Sequence, residues 1–280
     1  MSAWMLIVGV LVLAGIGVVM GMRRGLGAEY TRRRAAMLAA VAEAPPLLTE
    51  ALIVPLPLPV QRYLRVCGWV GKPLPRSVQV DFDATMFSQP GAAGMHGPAV
   101  QLDRFDLPRR LFFMRTRMAG LPVAVLHDYR GDGASMQVRL ASLFDVVDLQ
   151  GDVLARTETV TLLNDLCFFA PAWLVDARLS WRTVDDRRCG VEFTQGPHRV
   201  SAELEFNGDG ELVNFHSDDR GALQKDGSLR LLHWSTPMRD YCEFDGRRVA
   251  TRGDAVYRYP EGDFAYGRFM LQQIRFDVAP

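Results

Sequence analysis

The sequence predicts a mainly β protein: a large antiparallel sheet of about ten strands, curled toward a half-barrel, with one helical insert and a transmembrane helix ahead of it. Three observations carry that prediction. Segments alternating between apolar and polar residues recur from about Val78 to about Phe276, broken by turn signals roughly every 8 to 12 residues, the rhythm of an antiparallel meander. One long run, Ala155 to Asp176, has helical spacing instead. The first charged side chains of the chain are Arg23 and Arg24, so everything before them is uncharged. Three units follow: an anchor over 1–24, a juxtamembrane helix and Pro-rich linker over 25–55, and a single β-rich domain over 56–280. The roughly 230 residues that remain after the first 50 suit one large all-β domain.

Ser2 to Met22 is about 21 residues, and at about 1.5 Å of rise each such a helix is about 31 Å long, enough to cross a bilayer core. A cleaved signal peptide has a basic start and a shorter apolar core, whereas no Lys or Arg precedes this run. It therefore reads as an uncleaved single-pass anchor. Arg23, Arg24, Arg32, Arg33 and Arg34 all follow it, which predicts a cytoplasmic domain with the N-terminus outside; a periplasmic or extracellular domain is the alternative. Four cysteines without close pairing agree with a reducing compartment. Glu29 to Glu43 reads as a helix whose arginines would meet anionic headgroups, and 45–59 as an extended linker lying against the domain.

Within the domain, Val60 to Val66 is predicted as a short helix, with Pro59 near its start and Gly68 past its end. Ser77 to Met86 alternates strictly: Val78, Val80, Phe82, Ala84 and Met86 face one side, and Ser77, Gln79, Asp81, Asp83 and Thr85 the other. Leu111 to Met118 sets Phe112, Met114, Thr116 and Met118 against Phe113, Arg115 and Arg117. The RGDG turn, Arg130 to Gly133, joins the strand Pro122 to Arg130 to Met136, Val138 and Leu140. Beyond the insert the alternation returns around Trp181, Val191 and Leu204, and NGDG, Asn207 to Gly210, is a second hairpin signal. Runs at 229–235, 238–244, 248–252, 255–259 and 266–278 complete the sheet.

In the insert, Val160, Leu163, Leu166, Cys167 and then Phe169 or Phe168 recur at helical spacing, and Pro171 ends the helix or kinks it because proline lacks an N–H. Glu158, Thr161 and Asp165 share the other face. That stripe reads as a solvated helix surface or, alternatively, as polar groups at the mouth of a cavity. The helices either fill the concave face of the sheet or cap it and leave space for a ligand, and abundant Met and Phe suit both. A cavity would be lined by Phe112, Met114, Met118, Trp181 and Trp234. The polar cluster His127, Asp128, Tyr129 and Arg130, with Arg115 and Arg117 on the neighbouring strand, would form a structural ion pair or a clamp for an anionic headgroup.

Much is disfavoured. With 32 basic and 32 acidic residues, the chain lacks the basic balance of a nucleic-acid binder. Cys67, Cys167, Cys189 and Cys242 form no CxxC pair and read as small buried apolar residues. The histidines are scattered, so no metal site is predicted. No GxSxG, supported nucleophile, GxGxxG or Walker loop is present, so neither a catalytic residue nor a cofactor is predicted. DYRGDG, Asp128 to Gly133, lacks the ligand pattern of a calcium loop.

The stretches Pro57 to Pro75, Arg115 to Asp152, Thr157 to Trp181 and Tyr241 to Tyr266 resemble a bacterial membrane-anchored family whose domain is of unknown function. The resemblance covers most of the chain from about Pro55 to Phe276. It implies a fold similar to the lipoprotein-carrier (LolA-like) half-barrels, in which a concave sheet closed by helices holds acyl chains. It also implies an acidic residue and an arginine beside the insert helix; Glu158 stands at the acidic position and Thr161 where the basic one is expected. The function expected is non-catalytic binding of a lipid or other amphipathic molecule. The alternatives are a hydrolase acting on a membrane-derived substrate through Glu158, Asp128 and His127, and an interaction or scaffold protein with an exposed apolar patch.

Overall fold

The computed structural model describes Trp4, Gly9 and residues 25–39, 45–224 and 226–279. The predicted span Ser2 to Met22 lies outside the described residues save Trp4 and Gly9; among the described residues no helix is long and apolar enough to cross a membrane.

Among the described residues, fourteen strands join one antiparallel sheet. In chain order they are β1 (Ser77–Met86), β2 (Met95–Arg104), β3 (Arg109–Met118), β4 (Leu121–Tyr129), β5 (Ala134–Leu140), β6 (Phe144–Gln150), β7 (Leu179–Thr183), β8 (Arg188–Gln195), β9 (His198–Phe206), β10 (Leu212–Leu223), β11 (Leu229–Ser235), β12 (Met238–Phe244), β13 (Arg247–Tyr259) and β14 (Gly262–Phe276). Spatially the order is β6-β5-β4-β3-β2-β1-β14-β13-β11-β10-β9-β8-β7, with β12 added on β13. The chain thus runs outward from β1 to the edge at β6, crosses through the helical insert, and returns from the opposite edge at β7 until β14 closes against β1. Ten strands was too few. β6 escapes prediction because its apolar side chains Phe144 and Val146 stay exposed, so no dry face marks it.

The insert is helix α4 (Asp152–Phe169), stopped by Pro171 and followed by a single 3₁₀ turn, Pro171–Val175. Nearly every residue of α4 is buried, as in a helix enclosed on all sides by its own sheet. Its three buried threonines satisfy themselves: Thr157, Thr159 and Thr161 donate to the carbonyls of Val153, Ala155 and Thr157 at 2.7, 2.8 and 3.1 Å. Gly221 lets β10 close on the helix. Its N–H donates to Thr157 Oγ1 at 3.0 Å, and any Cβ there would stand 2.8 Å from that oxygen.

Among the described residues, three further helices precede the sheet: α1 (Leu26–Ala39), α2 (Glu50–Ile53) and α3 (Leu58–Val66). The predicted extended linker is partly helical, because Leu48, Ile53 and Leu56 are drawn into the main core. α3 locks onto the end of α4, with Tyr63 OH donating to the Cys167 carbonyl at 3.0 Å. α1 covers the back of the sheet: Leu26, Met37 and Leu38 pack with Leu102, Leu111, Phe113 and Leu126, and Tyr30 stacks on Phe113 at 5.1 Å. Two of the arginines expected at headgroups are engaged here instead, Arg33 with Asp128 and Glu29 and Arg34 with Gln79, while Arg32 is exposed. Gln79 and Ser77, predicted wet, are buried: Gln79 under Arg34 of α1, and Ser77 where its Oγ accepts from the Val278 N–H at 2.9 Å. Three cysteines are buried as expected, but Cys242 is exposed on β12.

Phe113→Ala removes the aromatic platform of α1 at a cost of about 3 kcal/mol. The expected outcome in hydrogen exchange is loss of amide protection across 26–39 while the α4 amides keep theirs.

Candidate functional site

Between α4 and the concave sheet lies a cavity of about 540 Å³. Its construction follows from two periodicities. On β3, side chains in phase with Phe112 point inward, which brings Arg110, Phe112, Met114, Thr116 and Met118 to the cavity. On α4, one stripe at helical spacing faces it: Leu154, Thr157, Glu158, Thr161, Asn164 and Asp165. The sheet supplies an apolar wall and the helix a polar one.

The predicted solvated stripe is therefore buried: Glu158 is 1 % and Asp165 5 % exposed. Arg110 makes this tolerable, each of its three guanidinium nitrogens donating one hydrogen bond here. Nε donates to Asp165 Oδ2 at 2.6 Å, Nη1 to Glu158 Oε2 at 3.1 Å and Nη2 to Gln101 Oε1 at 2.8 Å. Gln101 passes the chain on, donating from Nε2 to Asp103 Oδ2 at 2.7 Å, while Asp103 Oδ1 has no partner among the described residues. On the far side, Arg220 of β10 donates from Nε to Thr161 Oγ1 at 3.1 Å and bonds Tyr257 OH, which donates to the Gly221 carbonyl at 2.6 Å. Its guanidinium lies 4.4 Å from the Trp234 ring centre, with Tyr257 and Tyr266 close by. Asn164 donates to Thr236 Oγ1 at 2.6 Å.

His127 of β4 completes the wall. Its Nδ1 sits 3.3 Å from Glu158 Oε1, its ring meets Phe112 edge-on, and Nε2 has no protein partner among the described residues. Burial opposes ionisation of Glu158, but the hydrogen bond and charge of His127, with the fields of Arg110 and Arg220, outweigh it and hold this carboxyl down at about 2. The opposite holds for Asp103, where burial and then the like charge of Asp165 push the carboxyl well above its usual range. Burial also raises Asp165, against the pull of Arg110. Burial alone would lower both guanidiniums, yet Asp165 and Glu158 around Arg110, and Tyr257, Tyr266 and Glu158 around Arg220, keep them firmly charged.

A histidine oriented by an ionised carboxylate is the arrangement of a general base. Among the described residues, no Ser, Thr or Cys side chain hydrogen-bonds to it. No group of three His, Cys, Asp or Glu among those residues could hold a metal ion.

Of the residues predicted to line a cavity, Phe112, Met114, Met118 and Trp234 do so. Trp181 does not; it lies on β7 at the opposite edge and packs half-buried against the main core. The predicted polar cluster is split by strand alternation. His127 and Glu158 meet in the cavity, whereas Asp128 points to the back of the sheet, toward Arg33 and Arg130. Arg115 and Arg117 are exposed opposite Ala124 and Pro122, out of register with Asp128, so no clamp forms between them. Unpredicted members are Arg110, Gln101, Arg220 and Tyr257. Arg110 was legible, since it is in phase with Phe112 and Met114.

The sequence profile of a family of unknown function (DUF6544) matches residues 46–269. No curated protein matches the sequence closely enough to count as a relative. Among solved structures, the chain is similar to a LolA superfamily protein from Nitrosomonas europaea, at 13% identity over 79% of this chain and 94% of that one, with a TM-score of 0.44. It is also similar to a DUF1329 family protein from Desulfovibrio piger, at 14% identity over 84% of this chain and 95% of that one, with a TM-score of 0.43. The resemblance seen in the sequence to a family of unknown function is met by the family match.

Glu158→Gln is expected to cost about 3 kcal/mol at pH 7, because Arg110 then keeps a buried charge with one fewer partner. The folded carboxyl sits near 2 against an ordinary 4.5, so its contribution is present above about 4.5 and lost as pH falls toward 2. Melting temperatures measured against pH should therefore show the wild-type advantage over Glu158→Gln shrinking across that window. Asp103→Asn has the opposite sign. Its folded carboxyl is raised, so ionisation destabilises the wild type as pH climbs, and the variant should melt higher than wild type at pH 7 and alike in acid.

Proposed function

The chain belongs to the family of unknown function DUF6544, and from its cavity we propose that it is a non-catalytic binding protein for a lipid or other amphipathic molecule, tethered to the membrane by the uncharged stretch at its N-terminus. The observation that carries this reading is the two-sided cavity: about 540 Å³ with an apolar sheet on one side and the polar stripe of α4 on the other. Its size lies within the range of small-molecule sites, roughly 300–1,000 Å³. Each methylene brought into such a space contributes about 0.8 kcal/mol, while the polar wall fixes orientation. Met118 and Val146 belong both to the lining and to the exposed surface, marking the mouth. Exposed Leu121, Leu143 and Phe144 adjoin them at the turns of the β3–β4 and β5–β6 hairpins, an apolar collar suited to the passage of an apolar chain. Among the described residues, no Ser, Thr or Cys side chain lies at hydrogen-bonding distance of the histidine, so a covalent hydrolytic mechanism has no side-chain nucleophile there.

The test is saturable binding of an environment-sensitive fluorescent amphiphile to the full chain in phosphatidylcholine nanodiscs, with empty discs as the blank. Val125 lines the cavity from β4, and Val125→Trp should weaken binding about tenfold or more by filling the space. Binding that Val125→Trp leaves unchanged would move the site elsewhere and end this reading.

A further inference from the structure

We infer that the tips of the β1–β2, β3–β4 and β5–β6 hairpins dock into the surface of an anionic bilayer, setting the mouth of the cavity directly against lipid. This rests on the tether proposed above, and two observations carry it. The first is the chemistry of the tips. Met86 pairs with Met95, Met118 with Leu121 and Leu140 with Phe144, and the registers Ala99 to Met114 and Val123 to Leu140 bring all three turns to one end of the sheet. Residues 86–95, 118–126 and 140–144 contain no Asp, Glu, Lys or Arg. Leu121, Leu143 and Phe144 are nevertheless exposed, the last two by 67 % and 65 %. Phe87, Met95 and Met118 of the same tips line the cavity. Turns at the other end of these strands are charged, with Asp106, Arg109, Arg130 and Asp132. So are the tips of β10–β11 and β13–β14, which lie at the same end but carry Asp226, Glu261 and Asp263. The apolar surface is thus confined to three adjacent hairpins at the mouth. Behind it on β3 stand the exposed Arg115 and Arg117, placed to meet anionic headgroups.

The second is the direction of α1, which runs antiparallel to β3. Its last turn meets the start of that strand: Arg104, opposite Arg109, donates to the Met37 carbonyl at 2.9 Å. Arg33 reaches Asp128, which lies opposite Leu111, and Tyr30 stacks on Phe113. Gly27 also lies against the Phe113 ring, so the first turn of α1 points toward the apolar tips. From Phe113 the strand runs on to Met118 for about 17 Å. From Gly27 back to Met22, where the uncharged run 2–22 ends, the chain can reach at most about 18 Å. A bilayer entered by 2–22 therefore lies within reach of the same three tips.

The test is quenching of a fluorophore on the full chain in nanodiscs of phosphatidylcholine and phosphatidylglycerol, with and without lipid carrying a nitroxide near its headgroup. Cys242→Ser removes the exposed thiol, and the label is attached through Leu121→Cys, Leu143→Cys or, at the opposite end of the strands, Leu107→Cys. The nitroxide should quench the first two labels by about half or more and the third hardly at all, since surface-docked residues enter only about 5–10 Å of the bilayer. Equal quenching at all three positions, or none at any, on discs that retain the chain overturns the docking and leaves the tether standing. A blue-shifted Leu121→Cys label that nitroxide lipid does not quench assigns the tips to a protein partner and overturns it equally. A chain that the discs do not retain overturns docking and tether together. None of these outcomes depends on what the cavity binds.

Discussion

The contact on which this architecture turns is Arg110 of β3 against Glu158 and Asp165 of α4. A helix enclosed by a curled sheet would ordinarily bury an apolar stripe on every side and close down to a dry core. Here one stripe carries two carboxylates, and each must meet a cation or remain unsatisfied in an apolar interior. Arg110 meets both from a single strand position and ties them to Gln101 on the neighbouring strand. The helix is thus held to this part of the sheet by directional bonds through long side chains rather than by close apolar packing, and the space left beside those bonds is the cavity.

The remainder of the fold supports that spacing. On the β10 side the helix comes close, because Gly221 has no side chain and Thr157 takes its N–H. On the β3–β4 side it stands off, because Arg110 and His127 intervene. The back of the same strands is braced by α1 through Phe113, Leu111 and Leu126. Alternation makes the two jobs independent: Phe112 and His127 serve the cavity, while Phe113 and Asp128 serve the brace.

How much of this was legible depends on how local the signal is. The strands β1 and β3 could be read because period-two alternation needs no partner to be seen, and α4 because Pro171 ends an unmistakable helical run. The shared face of Glu158, Thr161 and Asp165 was legible too, but not its burial, since that depends on a cation 48 and 55 residues earlier in the chain. The general rule that charged residues stay wet had to lose to a specific pairing. Arg220 was hidden for a different reason: the pairing of β10 with β11 slips between Ser217 and Arg220, so alternation counted from Phe215 cannot be carried through to it. Trp181 shows the limit of composition. A large aromatic on a strand belongs to some apolar surface, and only the strand order tells that β7 lies at the opposite edge from the cavity.

Stability alone does not account for the polar wall. Replacing a buried ion pair by apolar residues of similar volume is often neutral or favourable by about 1–4 kcal/mol, and a Leu-lined α4 could pack more tightly against Phe112, Met114 and Leu271. The sequence nevertheless keeps Glu158, Asp165, Arg110 and Arg220 inside, and holds the Glu158 carboxyl down at about 2 by surrounding it with cationic partners. Such a network resists collapse: closing the space would require bending several hydrogen bonds at once, and breaking any of them leaves an uncompensated buried group. A cavity lined only by Met and Phe has no such resistance, because those side chains can rotate in and fill it. The charged stripe is therefore best understood as the element that keeps the concave face open, and the same groups that prevent its collapse give the enclosed space a polar side on which a ligand can be oriented.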